Sequence, residues 1–175
     1  MKTLNPVLVA LGLLAVVQSA VAGDPGTTRG IIDIGKQERP ADAVTLVGPD
    51  GYSGIYIQNR YEIQILNSFG VPEADYKPSY CGSIYRQKKP DRLVSKKAGE
   101  WQSYDLVFRA ARFEGEKKIA NARITVYQNG ALIHDDYSIP AKTGAGEKEG
   151  PAPRPIKLQG HHNPVRFRNV WIRPL

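Results

Sequence analysis

Cysteine is nearly missing from this chain: Cys81 is the only one in 175 residues. No internal disulfide can form, so a packed core has to hold the fold without staples. Long apolar runs are equally scarce. One stands at the N-terminus, and no second run follows that could span a membrane. Neither a phosphate loop nor a dinucleotide glycine motif is present. Gly51-Tyr52-Ser53-Gly54 lacks the spacing of a nucleophile elbow. There is no long amphipathic helical pattern and no internal repeat. Net charge is +7, but acidic residues are interleaved with the 24 Lys and Arg. Without a basic stripe this reads as a soluble cationic surface, and no nucleic-acid partner is expected. Adjacent His161 and His162 have no Cys or carboxylate at ligand spacing, so no metal site is expected.

The apolar run itself reads as a secretion signal. Lys2 is the positive start, Leu4 to Val17 is the apolar stretch, and Ser19-Ala20-Val21-Ala22 offers small residues for cleavage after Ala22. The run is short of the roughly 20 residues a membrane helix needs. Residues 1–22 are therefore expected to be removed, and the product to be periplasmic or secreted. The 153 residues that remain amount to one domain. Residues 23–50 are rich in Gly, Pro and charge. Their short patches Ile31 to Ile34 and Val44 to Val47 read as an arm or as short edge strands. Residues 51–175 form the domain proper.

Period-2 alternation dominates from Tyr52 onward. A three-residue turn at Asn59, Arg60 and Tyr61 would set Ile57 against Ile63 and Ile55 against Ile65. One face of that hairpin is then isoleucine, while Tyr56, Gln58, Glu62 and Gln64 share the other. Trp101 to Arg109 alternates as a strand. Arg123 to Asp135 reads as a hairpin around Asn129-Gly130, the favoured type I′ pair. Val165 to Ile172 reads as a last strand, and residues 140–155 as a flexible loop. Several short strands with regular turn signals predict an all-β sandwich or jelly roll.

The polar hairpin face has two readings. It is solvated, or it binds sugar: amides and carboxylates fork onto paired hydroxyls while an aromatic ring packs on the C–H face. Gln159 and His161 share one side of an extended segment, and His162 points away. His161 is either an acid–base group near its ordinary pKa or a polar residue at a strand entry. Ordinary glycoside hydrolysis uses two carboxyl groups flanking the bond. Glu62 is one candidate, and nothing in the sequence sets Asp105 or Asp135 beside it.

Four ordered segments carry a resemblance: Ser53 to Gln58, Arg60 to Ser68, Gly99-Glu100-Trp101-Gln102, and Gln159-Gly160-His161 followed by Val165 to Ile172. Together they resemble the 3-keto-disaccharide hydrolase family, from about Ser53 to the C-terminus. The resemblance implies a concanavalin-like jelly roll, here shortened at its N-terminal side, and an exported protein acting on 3-keto-glycosides. It implies abstraction of the C2 proton, elimination of the glycosidic oxygen and hydration. By position it implies Glu62 as base and His161 as proton-transfer partner. Gln58, Gln64 and Gln159 would hold hydroxyls, and Tyr56 would pack on the ring. The other readings are a non-catalytic carbohydrate-binding module and a partner-dependent envelope protein. A shortened sheet would also expose an edge through which copies could associate.

Overall fold

A computed structural model describes residues 7–9, 51–163, 165–170 and 172–174. Most of the expected signal segment and all of the 23–50 arm lie outside them.

The described strands are β1 (Val7–Val9), β2 (Tyr52–Ile57), β3 (Tyr61–Leu66), β4 (Tyr104–Arg109), β5 (Arg112–Glu114), β6 (Lys117–Ala120), β7 (Ala122–Gln128), β8 (Ala131–Ile139), β9 (Lys157–Leu158) and β10 (Arg173–Pro174). One helical turn, Glu73–Asp75, is the sole helical element among the described residues. All named strand pairs are antiparallel. They make a five-stranded sheet in the order β10-β1-β4-β7-β8, a three-stranded sheet β3-β2-β9 and the small ribbon β5-β6. The protein is an all-β jelly-roll sandwich. No helix among the described residues is long and apolar enough to cross a membrane.

Alternation builds the core between the two larger sheets. Ile55, Ile57, Tyr61 and Ile63 come from one sheet, and Tyr104, Leu106, Phe108, Ile124 and Val126 from the other, all buried. The rings of Tyr61 and Phe108 meet across the layers at 5.6 Å. Each buried isoleucine stabilises the fold by roughly 1.5–3 kcal/mol.

The first hairpin departs from the expected register. Its three-residue turn is Gln58 to Arg60, so Ile57 faces Tyr61, Ile55 faces Ile63 and Tyr56 faces Glu62. The turn slides by one residue, which shifts the pairing by two and leaves each side chain on its expected face. The gain is physical: Tyr61 joins the apolar face and packs on Phe108. Gln58 and Asn59 take up the strain, each with φ of 51°.

The second hairpin is as expected. Asn129 and Gly130 have φ of 52° and 77° between Gln128 and Ala131, a type I′ turn. The strand at Trp101 begins only at Tyr104, because Ser103 N–H donates to Asn129 Oδ1 at 3.0 Å and Gln102 is tied to Lys96 and Gln128. The described residues of the expected Val165 to Ile172 strand do not form one. Among its described residues only Val165 makes a bridge, and the sheet is completed instead by Arg173–Pro174. Residues 140–155 form a loop as expected, but one pinned to the first hairpin by the bonds of Arg60 described below.

Val7–Val9 pairs with β4 and β10. Cleavage after Ala22 would remove this strand and leave that edge of β4 without it.

His134 on β8 ties the sheets together. It is fully buried, its Nε2–H donates to Gly82 O at 2.8 Å, and Nδ1 has no partner among the described residues. Gly82 N–H in turn donates to Gln64 O on β3 at 2.8 Å. Burial holds the imidazole down at about 4, with Lys88 acting the same way and Asp91 and the Gly82 carbonyl opposing. The folded pKa lies below the unfolded one, so the contribution is complete above about 6.5 and is lost as pH falls toward 4. The loss should reach about 3 kcal/mol. Urea midpoints at pH 7, 5 and 4 would measure it, and His134→Gln should flatten that dependence.

Candidate active site

The polar face of β2 and β3 is the best-built cluster of chemistry-bearing groups. Tyr56 and Glu62 lie directly opposite each other, and the Tyr56 hydroxyl donates to Glu62 Oε2 at 2.7 Å. The carboxylate is buried, with only 1 % of the residue exposed. Its backbone N–H donates to Thr143 Oγ1 at 2.6 Å. Burial raises the carboxyl pKa. The Tyr56 hydrogen bond, and then the charges of His161, Arg86 and Lys157, pull it back down. Tyr56 is pushed well above the usual phenol range by burial and by its carboxylate partner, so it stays a hydrogen donor.

Glycine makes room for this carboxylate. A Cβ on Gly54 would overlap Glu62 Oε1 and stand 2.9 Å from its Cγ. Gly54→Ala should therefore push Glu62 off the Tyr56 hydroxyl. The expected result is a displaced carboxylate in a retained fold, and a rate at least tenfold lower for any reaction that uses Glu62, since misplacement by an ångström costs on the order of a hundredfold. Turnover measured beside circular dichroism checks this.

Gln64 stands two pairs further along on the same face, opposite Gly54. It is fully buried, and among the described residues neither its Nε2 nor its Oε1 has a partner of hydrogen-bond geometry, although Tyr52 is near. An amide left so is costly unless something else completes it. Gln159 continues this rim. Its backbone N–H donates to Gly54 O at 2.9 Å and its own carbonyl accepts from Ser53 Oγ at 2.8 Å, while its buried Oε1 has no partner among the described residues. His161 is exposed and packs on Tyr52 with ring centroids 4.3 Å apart. Tyr52 donates to the Tyr85 hydroxyl at 3.0 Å.

The structure thus gathers Tyr56, Glu62, Gln64, Gln159 and His161 around one patch. Gln58 is not with them. It sits in the turn, where its Oε1 accepts from Arg60 Nη1 at 3.2 Å. Asp105 and Asp135 lie on β4 and β8 of the other sheet. Among the described residues no three His, Cys, Asp or Glu side chains cluster as metal ligands.

Sequence reasoning missed three contributors. Tyr85 arrives through residues 82–85, which pair with the free edge of β3: Gln64 N–H to Ser83 O at 2.9 Å, and Tyr85 N–H to Glu62 O at 3.1 Å. Thr143 and Gly144 come from the long loop. A Cβ on Gly144 would stand 2.9 Å from the Tyr85 ring and 3.1 Å from Glu62 Oε2, so this loop closes one side of the carboxylate. Neither segment alternates in a way that marks it as sheet-associated.

Arg60 fastens that loop. It is buried, with Nε donating to Lys148 O and Nη2 to Ala152 O, both at 3.1 Å. Its carbonyl accepts from Thr143 N–H at 2.9 Å and from Thr143 Oγ1 at 3.2 Å.

The sequence profile of the 3-keto-alpha-glucoside-1,2-lyase-like domain matches residues 42–173. Among solved structures, one described as a "putative glycosyl hydrolase" from Parabacteroides distasonis ATCC 8503 shares 32% identity with a TM-score of 0.64. The alignment covers 79% of this chain and 61% of that one, so the chain spans about three fifths of that protein's length. A second structure with the same description and source is 28% identical, covering 75% of this chain and 74% of its own, with a TM-score of 0.44. No curated protein matches. The profile takes in the first hairpin, the long loop and the segment of Gln159 and His161, and the chain belongs to the 3-keto-alpha-glucoside-1,2-lyase-like domain family.

Proposed function

We propose that this domain cleaves 3-keto-glycosides by elimination and hydration. The observation that carries the reading is the carboxylate of Glu62, the one buried carboxylate among the described residues, hydrogen-bonded by Tyr56 and set beside the Gln64 amide, which has no partner among those residues. A ketone at C3 acidifies the hydrogen on C2. Glu62 takes that proton, and the electron pair passes through the enolate to form the C1–C2 double bond. The C1–O bond breaks, and His161 supplies the proton that the departing oxygen needs. Water then adds at C1 while a proton returns to C2, so the net reaction is hydrolysis. One carboxylate suffices for this chemistry, whereas direct displacement calls for two. The Tyr52–Tyr85 pair keeps one phenolic hydrogen free for the developing enolate oxygen, and Gln64 and Gln159 bind hydroxyls.

Export belongs to the same proposal, since it rests on the N-terminal segment of the sequence. Mass spectrometry of the protein from cell envelope and medium should find a chain starting at Gly23. Loss of Val7–Val9 would then leave the β4 edge open to self-association.

The direct test is product release from a 3-keto-glucoside by purified protein. Saturable sugar binding without any release would favour a binding module built on the same face.

A further inference from the structure

Two cations act on Glu62 from a distance without forming an ion pair among the described residues. They are Arg86 and Lys157, both exposed. Each lies over the ring of a site tyrosine instead. Lys157 Nζ is 5.7 Å from the centre of the Tyr56 ring, and Arg86 Cζ is 5.1 Å from that of Tyr85. Those two rings flank Glu62 Oε2. Tyr56 donates to it, and Tyr85 approaches the same space that Gly144 leaves open beside it. Both cations are placed by the sheet: Lys157 pairs with Tyr56 across β2 and β9, and Arg86 follows Tyr85 on the segment bonded to β3.

One carboxylate needs one cation for neutrality. Two permanent cations, with His161 as a third basic group, leave the rim positive even when Glu62 is ionised. A cation resting on an aromatic face is held in place while its N–H donors stay free. A guanidinium in that position is preorganised for a forked contact to a planar or tetrahedral anion.

We propose that the sugar bound at this site carries an anionic substituent, a carboxylate, sulfate or phosphate, recognised by Arg86 and Lys157. This rests on the reading of the Glu62 face as a sugar site, and goes beyond it in naming a charged substrate.

The test is titration calorimetry on the full chain at low salt with four probes. They are methyl glucoside, methyl glucuronide, methyl glucoside 6-sulfate and methyl glucoside 6-phosphate. At least one charged probe should bind about tenfold tighter than the neutral one, as two screened charge contacts would give. Which one does identifies the anion. The preference should shrink in 0.5 M salt, taken as about a threefold shorter screening length than at low salt. In an Arg86→Ala/Lys157→Ala variant the charged-to-neutral ratio should collapse to about one. Equal affinity for all four probes, no binding of any, or a preference that survives the double substitution would each overturn the inference. The two readings fail separately. Turnover of a neutral 3-keto-glucoside without any charged preference sinks the anion alone. A charged preference without turnover of any 3-keto-glycoside sinks the lyase chemistry alone.

Discussion

Glu62→Gln should lower kcat on a 3-keto-glucoside by about 10²- to 10⁴-fold, the usual contribution of a positioned general base. KM should change little. The amide keeps the size of the carboxylate, and its oxygen can still accept from Tyr56, whose ring stays where the β2–β3 pairing puts it. What is lost is the ability to take a proton. Tyr56→Phe gives the companion result. The Tyr56 hydrogen bond favours the ionised carboxylate, so removing it raises the Glu62 pKa further above its ordinary value. The base must be ionised to act, and the acidic limb of the kcat/KM profile should therefore move to higher pH. Steady-state rates across pH for the wild type and both variants decide the matter. A Glu62→Gln enzyme with unchanged kcat would remove Glu62 from the chemistry.

Arg60→Ala should release the loop that closes the site. Three side-chain hydrogen bonds go at once, to Lys148 O, Ala152 O and Gln58 Oε1. Hydrogen bonds to a charged donor are worth about 1.5–3 kcal/mol each. They are not additive, so a loss of about 3–5 kcal/mol in stability is expected. The consequence for the site is more specific. Thr143 and Gly144 lie against Glu62, and their stretch is anchored by Arg60 at both its backbone and its side chain. Gly146 packs so tightly that a Cβ there would overlap the Arg60 carbonyl oxygen. Amide hydrogen exchange over residues 140–152 should rise well beyond that of the core strands. Arg60→Lys should recover little, because an ammonium cannot reproduce the forked contacts of a guanidinium. Urea denaturation and exchange mass spectrometry together measure this. Protection of the loop unchanged in Arg60→Ala would show that other contacts hold it.

Much of this molecule was legible from local pattern. Ile55, Ile57 and Ile63 alternate with polar residues, and in a strand alternation assigns faces whatever the turn does. That is why the Tyr56–Glu62–Gln64 face survived a two-residue change in pairing. Asn129-Gly130 specified its own turn, because few residue pairs accept two consecutive positive φ angles. The single cysteine already required a core held by packing. The partners of the site residues were a different matter. Tyr85 reaches Glu62 because residues 82–85 bond to the free edge of β3, and Thr143 and Gly144 reach it because Arg60 captures carbonyls about 90 residues away in sequence. Val165 to Ile172 alternates like a strand, yet only Val165 among its described residues forms a bridge. Local periodicity decides which way a side chain points. Only the tertiary fold decides which distant backbone groups it meets, because such bonds depend on where two remote segments run and leave no periodic trace in either.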